Sequence, residues 1–326
     1  MTSLSAYQLL FTSYLEGYAI SKDPKGLYDP AHYLLTLGGK RLRPVLTLLA
    51  VEAYGGKAEH ALPAALAIEV FHNFTLMHDD IMDAAPLRRG KPTVHHQWNV
   101  NTAILSGDAM LIQSYQLLEK YPDPLHGILS RLLSSTALAV CEGQQYDLDF
   151  ETQTNVTLEE YIRMIKLKTA VLLGAALEMG AHIAHAEENQ AMQLYEFGVL
   201  LGLAFQIQDD YLDAFGDPKV FGKQLGGDII ENKKTILFHL AMQKGTSKDH
   251  QDLKHWFSIS NDKVSEEEKI NAVKTIFTQS GATTATLQLV EEYTQKAFHH
   301  LENLKMGDEG KYFFKDFGTN LMERKF

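Results

Sequence analysis

The chain has 326 residues, of which 45% are hydrophobic, and its formal net charge is −11. This apolar content suffices for a large core and excludes a mainly disordered chain, while the acidic balance disfavours a nucleic-acid partner, which needs a basic face. Cys141 is the only cysteine, so an intramolecular disulfide is excluded, and no stretch approaches the ~18 uninterrupted apolar residues of a membrane span. We therefore expect a cytoplasmic protein with no membrane insertion and no signal peptide.

The first part of the chain is dominated by helical periodicity, with no convincing strand. Asp29-Pro30 is typical of an N-cap followed by proline at the first helical position, and Gly38-Gly39 would end that helix. Pro44 begins the next helix, which runs toward Gly55-Gly56. From about residue 59 a long apolar helix leads to Asp79.

The rest of the chain is also helical. Long patterns cover about 100–121, 125–149, 157–185, 187–215 and 282–305, and Thr157–Glu160 and Ser265–Glu268 are capping boxes. Residues 216–227 are predicted as a loop, and 245–261 as a polar surface connection. Because no linker divides two cores, we predict one all-α domain over residues 1–326. It would be a helical bundle of about ten to thirteen helices around a central cavity.

Two carboxylate clusters stand out within apolar helical segments. They are Asp79-Asp80-Ile81-Met82-Asp83 and Asp209-Asp210-Tyr211-Leu212-Asp213. Residues four apart lie about 6 Å from each other on one helix face, so the first and last aspartate of each cluster point together. Like charges at this spacing repel unless a cation lies between them. The pattern indicates a hard divalent cation, and Mg²⁺ fits because it combines one or two carboxylates with waters and substrate phosphates.

Basic residues accompany both clusters. Lys40, Arg41 and Arg43 lie between a helix end and a helix start, and Arg88-Arg89 follow the first cluster within one loop. The other lysines of this basic set are Lys166, Lys168, Lys223, Lys233 and Lys234. Arginine matches phosphate oxygens with a planar fork, and lysine supplies a point charge. Any one basic group is more commonly a solvated helix end, but together with the carboxylates these residues would bind a Mg²⁺–diphosphate.

Five motifs together resemble the trans-isoprenyl diphosphate synthases. They are GGKRLRP, HDDIMD with the following LRRGKP, KLKT, FQIQDDYLD and FGKQLGGDIIENKKT, spread from about residue 38 to 235. One DDxxD alone would be weak evidence, whereas two in register with GGKRLRP and RRG form a specific combination. The resemblance implies an all-α homodimer that joins isopentenyl diphosphate to an allylic diphosphate of five to fifteen carbons.

The resemblance also implies roles for the matching positions. Three Mg²⁺ ions would be bound by Asp79, Asp83 and Asp209, with Asp80 and Asp213 in supporting positions that hold waters or lysines. The allylic diphosphate would be neutralised by Arg88, Lys168, Lys223 and Lys233. Isopentenyl diphosphate would be bound by Lys40, Arg43, His72 and Arg89. Thr169 and Gln206 would lie beside the reacting carbons, and Phe205 would pack on the isopentenyl chain.

Product length is predicted from the residues that precede Asp79. Phe74 stands five residues before it, Phe71 eight, and Thr75 four. A helical rise of ~1.5 Å per residue puts Phe74 roughly 7–8 Å along the helix from Asp79. In the family, an aromatic at the fifth position alone resembles a C20 synthase, whereas aromatics at both positions suggest C15. Geranylgeranyl diphosphate is therefore favoured, with farnesyl diphosphate as the alternative.

Other functions fit less of the sequence. A class I terpene cyclase has no need of GGKRLRP, and a non-catalytic regulatory subunit typically loses one acidic cluster, whereas this chain keeps both. A divalent-ion-binding bundle without prenyl chemistry leaves the phosphate-type cations unexplained. The stretch Glu142–Asp147 matches a family segment near the active site but equally suits packing, and Cys141 is expected to be buried and unreactive.

Overall fold

Helices occupy nearly all of the structure. The computed structural model describes residues 3–18, 22–153, 155–217, 225–259 and 264–323. Within these ranges lie sixteen α-helices: α1 Leu4–Tyr18, α2 Lys25–Thr36, α3 Leu42–Ala53, α4 Leu62–Met82, α5 Val94–Gln97, α6 Val100–Leu118, α7 Leu125–Thr152, α8 Leu158–Ile165, α9 Val171–Ile183, α10 Glu188–Phe215, α11 Gly227–Ile230, α12 Ile236–Lys244, α13 Ser247–Trp256, α14 Glu266–Gln279, α15 Ala282–Glu302 and α16 Asp308–Met322.

Three shorter elements complete the described chain. A 3₁₀ turn, Ala58–Ala61, leads into α4, and a π-helical segment, Lys166–Ala170, joins α8 to α9. The two-residue strands β1 (Leu87–Arg88) and β2 (Lys91–Pro92) pair antiparallel in the loop after the first acidic cluster. The all-α prediction is confirmed. The helices outnumber the predicted ten to thirteen because α5 and α11 have only four residues each and the π segment divides one predicted helix.

Two local predictions are wrong. Helix α2 begins at Lys25, before Asp29, and Pro30 lies buried inside it because packing of its apolar face outweighs the local N-cap signal. The predicted connection at 245–261 contains α13. Its start signal is the Thr246–Asp249 capping box, but Leu253 is its only fully buried residue, so almost no apolar periodicity marks the helix.

Helix α9 lies at the centre of the bundle. Eleven of its 13 residues are buried, and it contacts α3, α4, α7 and α10. A helix that is apolar around its whole circumference requires other helices on every side. Helices α4 and α10, which carry the two acidic clusters at their C-terminal ends, therefore both pack against α9.

Two glycines hold the π segment between α7 and α10. A Cβ on Gly143 of α7 would lie 2.3 Å from the backbone nitrogen of Lys168, and one on Gly202 of α10 would lie 2.8 Å from Cα of Ala170. Only glycine permits such close backbone approach. π-helical turns occur frequently at functional sites, and this one carries Lys168 and Thr169, the KT pair of the KLKT motif.

Buried apolar side chains form two adjoining groups. The first is centred on α3, α4 and α9, and the second involves α8, α10 and α12 to α15. Helix α10 belongs to both, with Phe197 in the first group and Val199 in the second. Among the described helices, none combines the length and the hydropathy that a bilayer crossing needs.

Candidate active site

The first acidic cluster closes the last turn of α4. The Asp83 N–H donates to the Asp79 carbonyl at 2.8 Å, which keeps the two residues on one helical turn as predicted. Asp79 is partly buried and Asp83 is exposed. Burial raises the pKa of the Asp79 carboxyl to about 6, with Lys168 opposing the rise and Asp83 adding to it. A carboxylate so poorly solvated beside another favours a cation between them.

Asp80 lies between these two and has a different role. It is 2% exposed, and the Arg88 guanidinium donates to its two oxygens at 2.7 to 2.9 Å. The resemblance implied waters or lysines as partners of Asp80, and the side chain that the structure pairs with it is an arginine. This bidentate ion pair fixes the loop after α4, because Arg88 lies in strand β1 of that loop. Arg88 is thereby held beside the acidic cluster.

The second acidic cluster lies near the end of α10. Asp210 is buried, and its oxygens accept hydrogen bonds from Tyr161 at 2.5 Å and from the Gln206 amide at 3.0 Å. Burial raises the pKa of Asp210 to about 8, although the Tyr161 bond opposes the rise. Asp213 accepts from the backbone N–H of Asp228 at 3.0 Å, so it positions the start of α11. Asp209 is partly buried on the same turn.

The two clusters belong to one site. Lys233 lies within electrostatic range of both Asp83 of the first cluster and Asp228 beside the second, and its ammonium pairs with Glu231 at 2.8 Å. Lys168 of the π segment lies near Asp79 and donates to Asp147 of α7 at 2.6 Å. Lys223 lies outside the described residues. Of the four cations predicted for the allylic diphosphate, the three described ones therefore all lie near a cluster.

The carboxylates suit a magnesium site that substrate would complete. Among the described residues, no three histidine, cysteine or carboxylate side chains already surround one point. Mg²⁺ does not need such a cage, because it typically takes one or two carboxylates and fills its octahedron with waters and phosphate oxygens. Asp79, Asp83 and Asp209 therefore fit this ion as ligands.

A basic cavity of about 130 Å³ is lined in part by Thr169 of the π segment. Its lining brings together six of the residues singled out in the sequence: Lys40, Arg43, His72, Arg89, Thr169 and Phe205. Arg43 lies beside the His72 Nε2 at 3.3 Å. Burial, and next to it the charge of Arg43, keeps the pKa of His72 well below its ordinary value. His72 is therefore neutral, and its Nε2 can accept from Arg43.

The GGKR turn shapes this cavity. Gly39 has φ +127°, and a Cβ there would lie 2.8 Å from the Arg89 guanidinium. Arg89 in turn donates to the Gly38 carbonyl. Both glycines are thus required, Gly38 for its positive φ of 85° and Gly39 also for the close approach of Arg89. The turn ends at Arg41, which has φ +51° and starts α3.

Arg41, one of the cations predicted from the sequence, forms a buried ion pair with Glu69 in the cavity lining, and no motif pointed to Glu69. Their side chains are 7% and 2% exposed, and Glu69 also accepts from Asn73 at 3.0 Å.

We expect Glu69→Ala to lower the free energy of unfolding by about 3–5 kcal/mol, because it leaves the arginine buried and unpaired. Denaturant unfolding measures this. Glu292→Ala, which removes half of an exposed pair with Lys296, should have little effect; equal losses in both variants would contradict the argument.

The residues predicted to set product length lie in the turns of α4 that precede Asp79. Phe71 is fully buried and Phe74 nearly so, with ring centroids 5.6 Å apart. Phe74 also contacts the ring of His78 at 4.8 Å, and His78 Nε2 lies 3.2 Å from the Ile104 carbonyl of α6. Thr75 donates to the His72 carbonyl at 2.8 Å. The aromatic pair is therefore braced against a neighbouring helix.

Comparison with known proteins agrees with this arrangement. A family model described as polyprenyl synthetase matches residues 24–276. The chain belongs to the polyprenyl synthetase family. A geranylgeranyl diphosphate synthase of Methanosarcina mazei is 43% identical over 228 residues, covering 69% of this chain and 70% of that protein. A geranylfarnesyl diphosphate synthase of Natronomonas pharaonis is 40% identical over 240 residues, covering 68% and 70%. A crystal structure of a geranylgeranyl pyrophosphate synthase superposes with TM-score 0.96 at 52% identity, covering 99% of both chains.

As a member of the polyprenyl synthetase family, the chain is an enzyme of the prenyltransferase class. Such enzymes use isopentenyl and allylic diphosphates and generally depend on divalent metal ions. The structure adds site residues that the motifs did not assign: Glu69, Phe317 and Leu321 in the basic cavity, and Tyr161 beside Asp210. Asp147, from the stretch Glu142–Asp147, binds Lys168. Phe317 and Leu321 come from α16, so only the fold could place them there. Cys141, expected to be buried, is exposed.

Proposed function

We propose that the chain is a geranylgeranyl diphosphate synthase, which condenses isopentenyl diphosphate with allylic diphosphates of five to fifteen carbons. The observation that carries the proposal is that one π-helical segment reaches both a basic cavity and the acidic clusters: its Thr169 lines the cavity and its Lys168 lies near Asp79. The basic cavity suits a diphosphate bound without metal, and the pair of acidic clusters suits a diphosphate bound through metal. A farnesyl diphosphate synthase is the alternative. A cyclase or a regulatory subunit gains nothing from the presence of both sites.

Mg²⁺ would be held by Asp79, Asp83 and Asp209, with three ions in each active site. When bound, it neutralises charge on the departing allylic diphosphate. Lys168, Lys233 and Arg88 would add positive charge around the same group, and Lys223 joins them as a prediction. The carboxylate partners Asp147, Glu231 and Asp80 orient these cations before substrate arrives. Such preorganised charge is worth more than charge that must be recruited during the reaction.

Isopentenyl diphosphate would bind in the basic cavity through Lys40, Arg43, His72 and Arg89. Arg43 lies in the cavity beside a neutral His72, so the histidine adds no second positive charge next to the guanidinium. The Glu69 carboxylate also acts on Arg43. Phe205 would pack on the hydrocarbon part. Leu173, Phe317 and Leu321 give the cavity an apolar side that excludes water. Water must be excluded because it would trap the allylic cation as an alcohol.

Thr169 and Gln206 would lie beside the reacting carbons. The Gln206 amide nitrogen donates to Asp210, which fixes the side chain with its carbonyl oxygen directed away from that carboxylate. An amide oxygen held in this way stabilises positive charge that develops nearby. The double bond of isopentenyl diphosphate then attacks the allylic cation, and a proton leaves to the departing diphosphate. The chain needs no nucleophilic side chain for this reaction.

We propose that the active form is a homodimer in which each chain is a single domain. Five large apolar side chains on α6 and α7 are 43% to 62% exposed: Val100, Ile104, Leu105, Ile112 and Leu138. The four on α6 lie along one side of the helix, which is typical of a surface that another copy covers. Helix α10, shared by both buried groups, supports the single domain. The cytoplasmic location stays a prediction.

We expect Leu105→Glu combined with Ile112→Glu to convert the dimer to a monomer, because each substitution would bury a charge in an apolar contact. Light scattering after gel filtration measures the mass. Leu9→Glu, which alters an apolar side chain that is 70% exposed on α1, is the matched control and should leave the dimer intact. A double variant with unchanged mass would place the interface elsewhere.

The proposed product is tested by incubating the purified protein with Mg²⁺, isopentenyl diphosphate and, separately, C5, C10 and C15 allylic primers. We expect all three to end at C20 after dephosphorylation. A stop at C15 would keep the chemistry and favour farnesyl diphosphate, whereas a C25 product would match the relative that makes geranylfarnesyl diphosphate. No condensation with any primer would contradict the proposal.

A further inference from the structure

Gln144 has a buried side-chain amide that lacks a hydrogen-bond partner among the described residues. It lies on α7 and is 9% exposed. Neither its amide nitrogen nor its amide oxygen has a hydrogen-bond partner among the described residues. Buried polar side chains in folded proteins nearly always have a partner, because an unpaired one is destabilising. An amide with both groups unpaired therefore indicates a ligand that supplies the partners.

The position of Gln144 indicates which ligand. Val140, Gln144 and Asp147 are spaced four and three residues apart, so they share one face of α7. Asp147 pairs with Lys168 at 2.6 Å, and Gly143 packs directly on the Lys168 backbone. This face of α7 therefore meets the π segment within the active site.

The turn of α7 that precedes Gln144 lies near the first acidic cluster. The neighbouring Cys141, one turn before Gln144, lies within electrostatic range of the Asp79 carboxyl. Along α7, Gln144 thus lies between Cys141, which is near Asp79, and Asp147, which binds Lys168. Asp79 and Lys168 are the groups proposed above to surround the allylic diphosphate. If the only role of Gln144 were to fill space, an apolar side chain of the same size would serve equally well.

Gln206, another amide of the active site, differs from Gln144 because it has a protein partner. The Gln206 amide is anchored by Asp210 at 3.0 Å, so the protein itself sets its orientation. The Gln144 amide has no such anchor, although its exposed neighbour Gln145 donates to Asp149 at 2.8 Å. Two amides in the same region thus have protein partners and the buried one does not. Its orientation is left for substrate to set.

We propose that Gln144 contacts the allylic diphosphate, with its N–H donating to a diphosphate oxygen and its carbonyl oxygen facing the allylic carbons. This inference rests on the proposed function and adds a substrate-contacting residue to it. Both contacts strengthen as the C–O bond breaks, because negative charge grows on the diphosphate and positive charge on the carbons. Gln144 is then a catalytic residue, and its loss should lower kcat more than it raises KM.

The test is Gln144→Met, which keeps an unbranched side chain of similar length and removes the amide. We expect kcat to fall by about 10²-fold, the scale of one lost charge-stabilising donor. The KM for isopentenyl diphosphate should stay unchanged, and the thermal midpoint should stay the same or rise, since no unpaired amide is buried any longer. Gln145→Met is the matched control and should keep wild-type kcat.

Gln144→Leu is a second variant in case methionine packs poorly. Wild-type kcat in either folded variant would overturn the inference and leave the proposed function intact. A loss of kcat that only follows a lowered thermal midpoint would also overturn it, because that pattern belongs to a packing residue. A wild-type protein that condenses nothing would overturn the proposed function together with this inference.

Discussion

Asp79→Asn should lower kcat by about 10³-fold while leaving far-UV circular dichroism unchanged. The substitution keeps the shape of the side chain but removes the charge that would hold a metal ion against the diphosphate, and about 4 kcal/mol of lost charge stabilisation corresponds to this factor. Asp79 lies on the last turn of α4, and burial already raises its carboxyl pKa to about 6, so a neutral amide is well tolerated there. Asp209→Asn should behave in the same way from the second cluster.

Steady-state kinetics at saturating Mg²⁺ measures the effect. Glu291→Gln, which removes an exposed charge from α15, is the control and should keep full activity. Near-normal turnover in Asp79→Asn or in Asp209→Asn would contradict the metal assignment. A loss of helicity in parallel with activity would instead make that aspartate a folding residue.

Phe74→Ala should lengthen the product beyond C20. The ring is 8% exposed and lies between Phe71 and His78, so its removal opens space on the face of α4 that carries these two rings. A growing chain that ends against this ring would gain room for at least one further C5 unit. Phe→Ala in a core costs about 3–5 kcal/mol, so product size must be measured below the melting temperature of the variant.

The reciprocal variant is Thr75→Phe, which places an aromatic ring at the fourth position before Asp79 and should shorten the product to C15. Phe197→Leu, a buried change on α10 away from this face, controls for the loss of stability and should leave the product at C20. Unchanged product in both Phe74→Ala and Thr75→Phe would reassign the floor of the tunnel to other helices.

Local sequence rules predict this fold well where apolar periodicity is long. The predicted helix 187–215 matches α10 almost to the residue, and the Thr157 capping box opens α8 as predicted. The rules fail where packing decides. Pro30 is read as a helix start but lies inside α2, and α13 has too few buried residues to be recognised.

The sequence likewise predicts some residues of the candidate site and misses others. Motifs identify residues that project from helix ends and turns, such as Asp79 and Arg43, and the structure gathers them. They do not identify partners contributed by distant helices. Tyr161 reaches Asp210 from 49 residues away, and Phe317 enters the cavity from α16. The π turn at Lys168 is likewise invisible in a periodic pattern, because it depends on close contact with Gly143 and Gly202.

We propose that Asp79, Asp83 and Asp209 would hold a divalent ion that assists the ionisation of an allylic diphosphate, and that isopentenyl diphosphate then captures the allylic cation. The most direct measurement is the release of inorganic diphosphate and the formation of a C20 diphosphate from farnesyl and isopentenyl diphosphates, with Mg²⁺ or with EDTA. We predict stoichiometric release and C20 product with Mg²⁺, and neither with EDTA. Equal turnover in EDTA, or release of diphosphate with only farnesol or a cyclic hydrocarbon as product, would contradict the account.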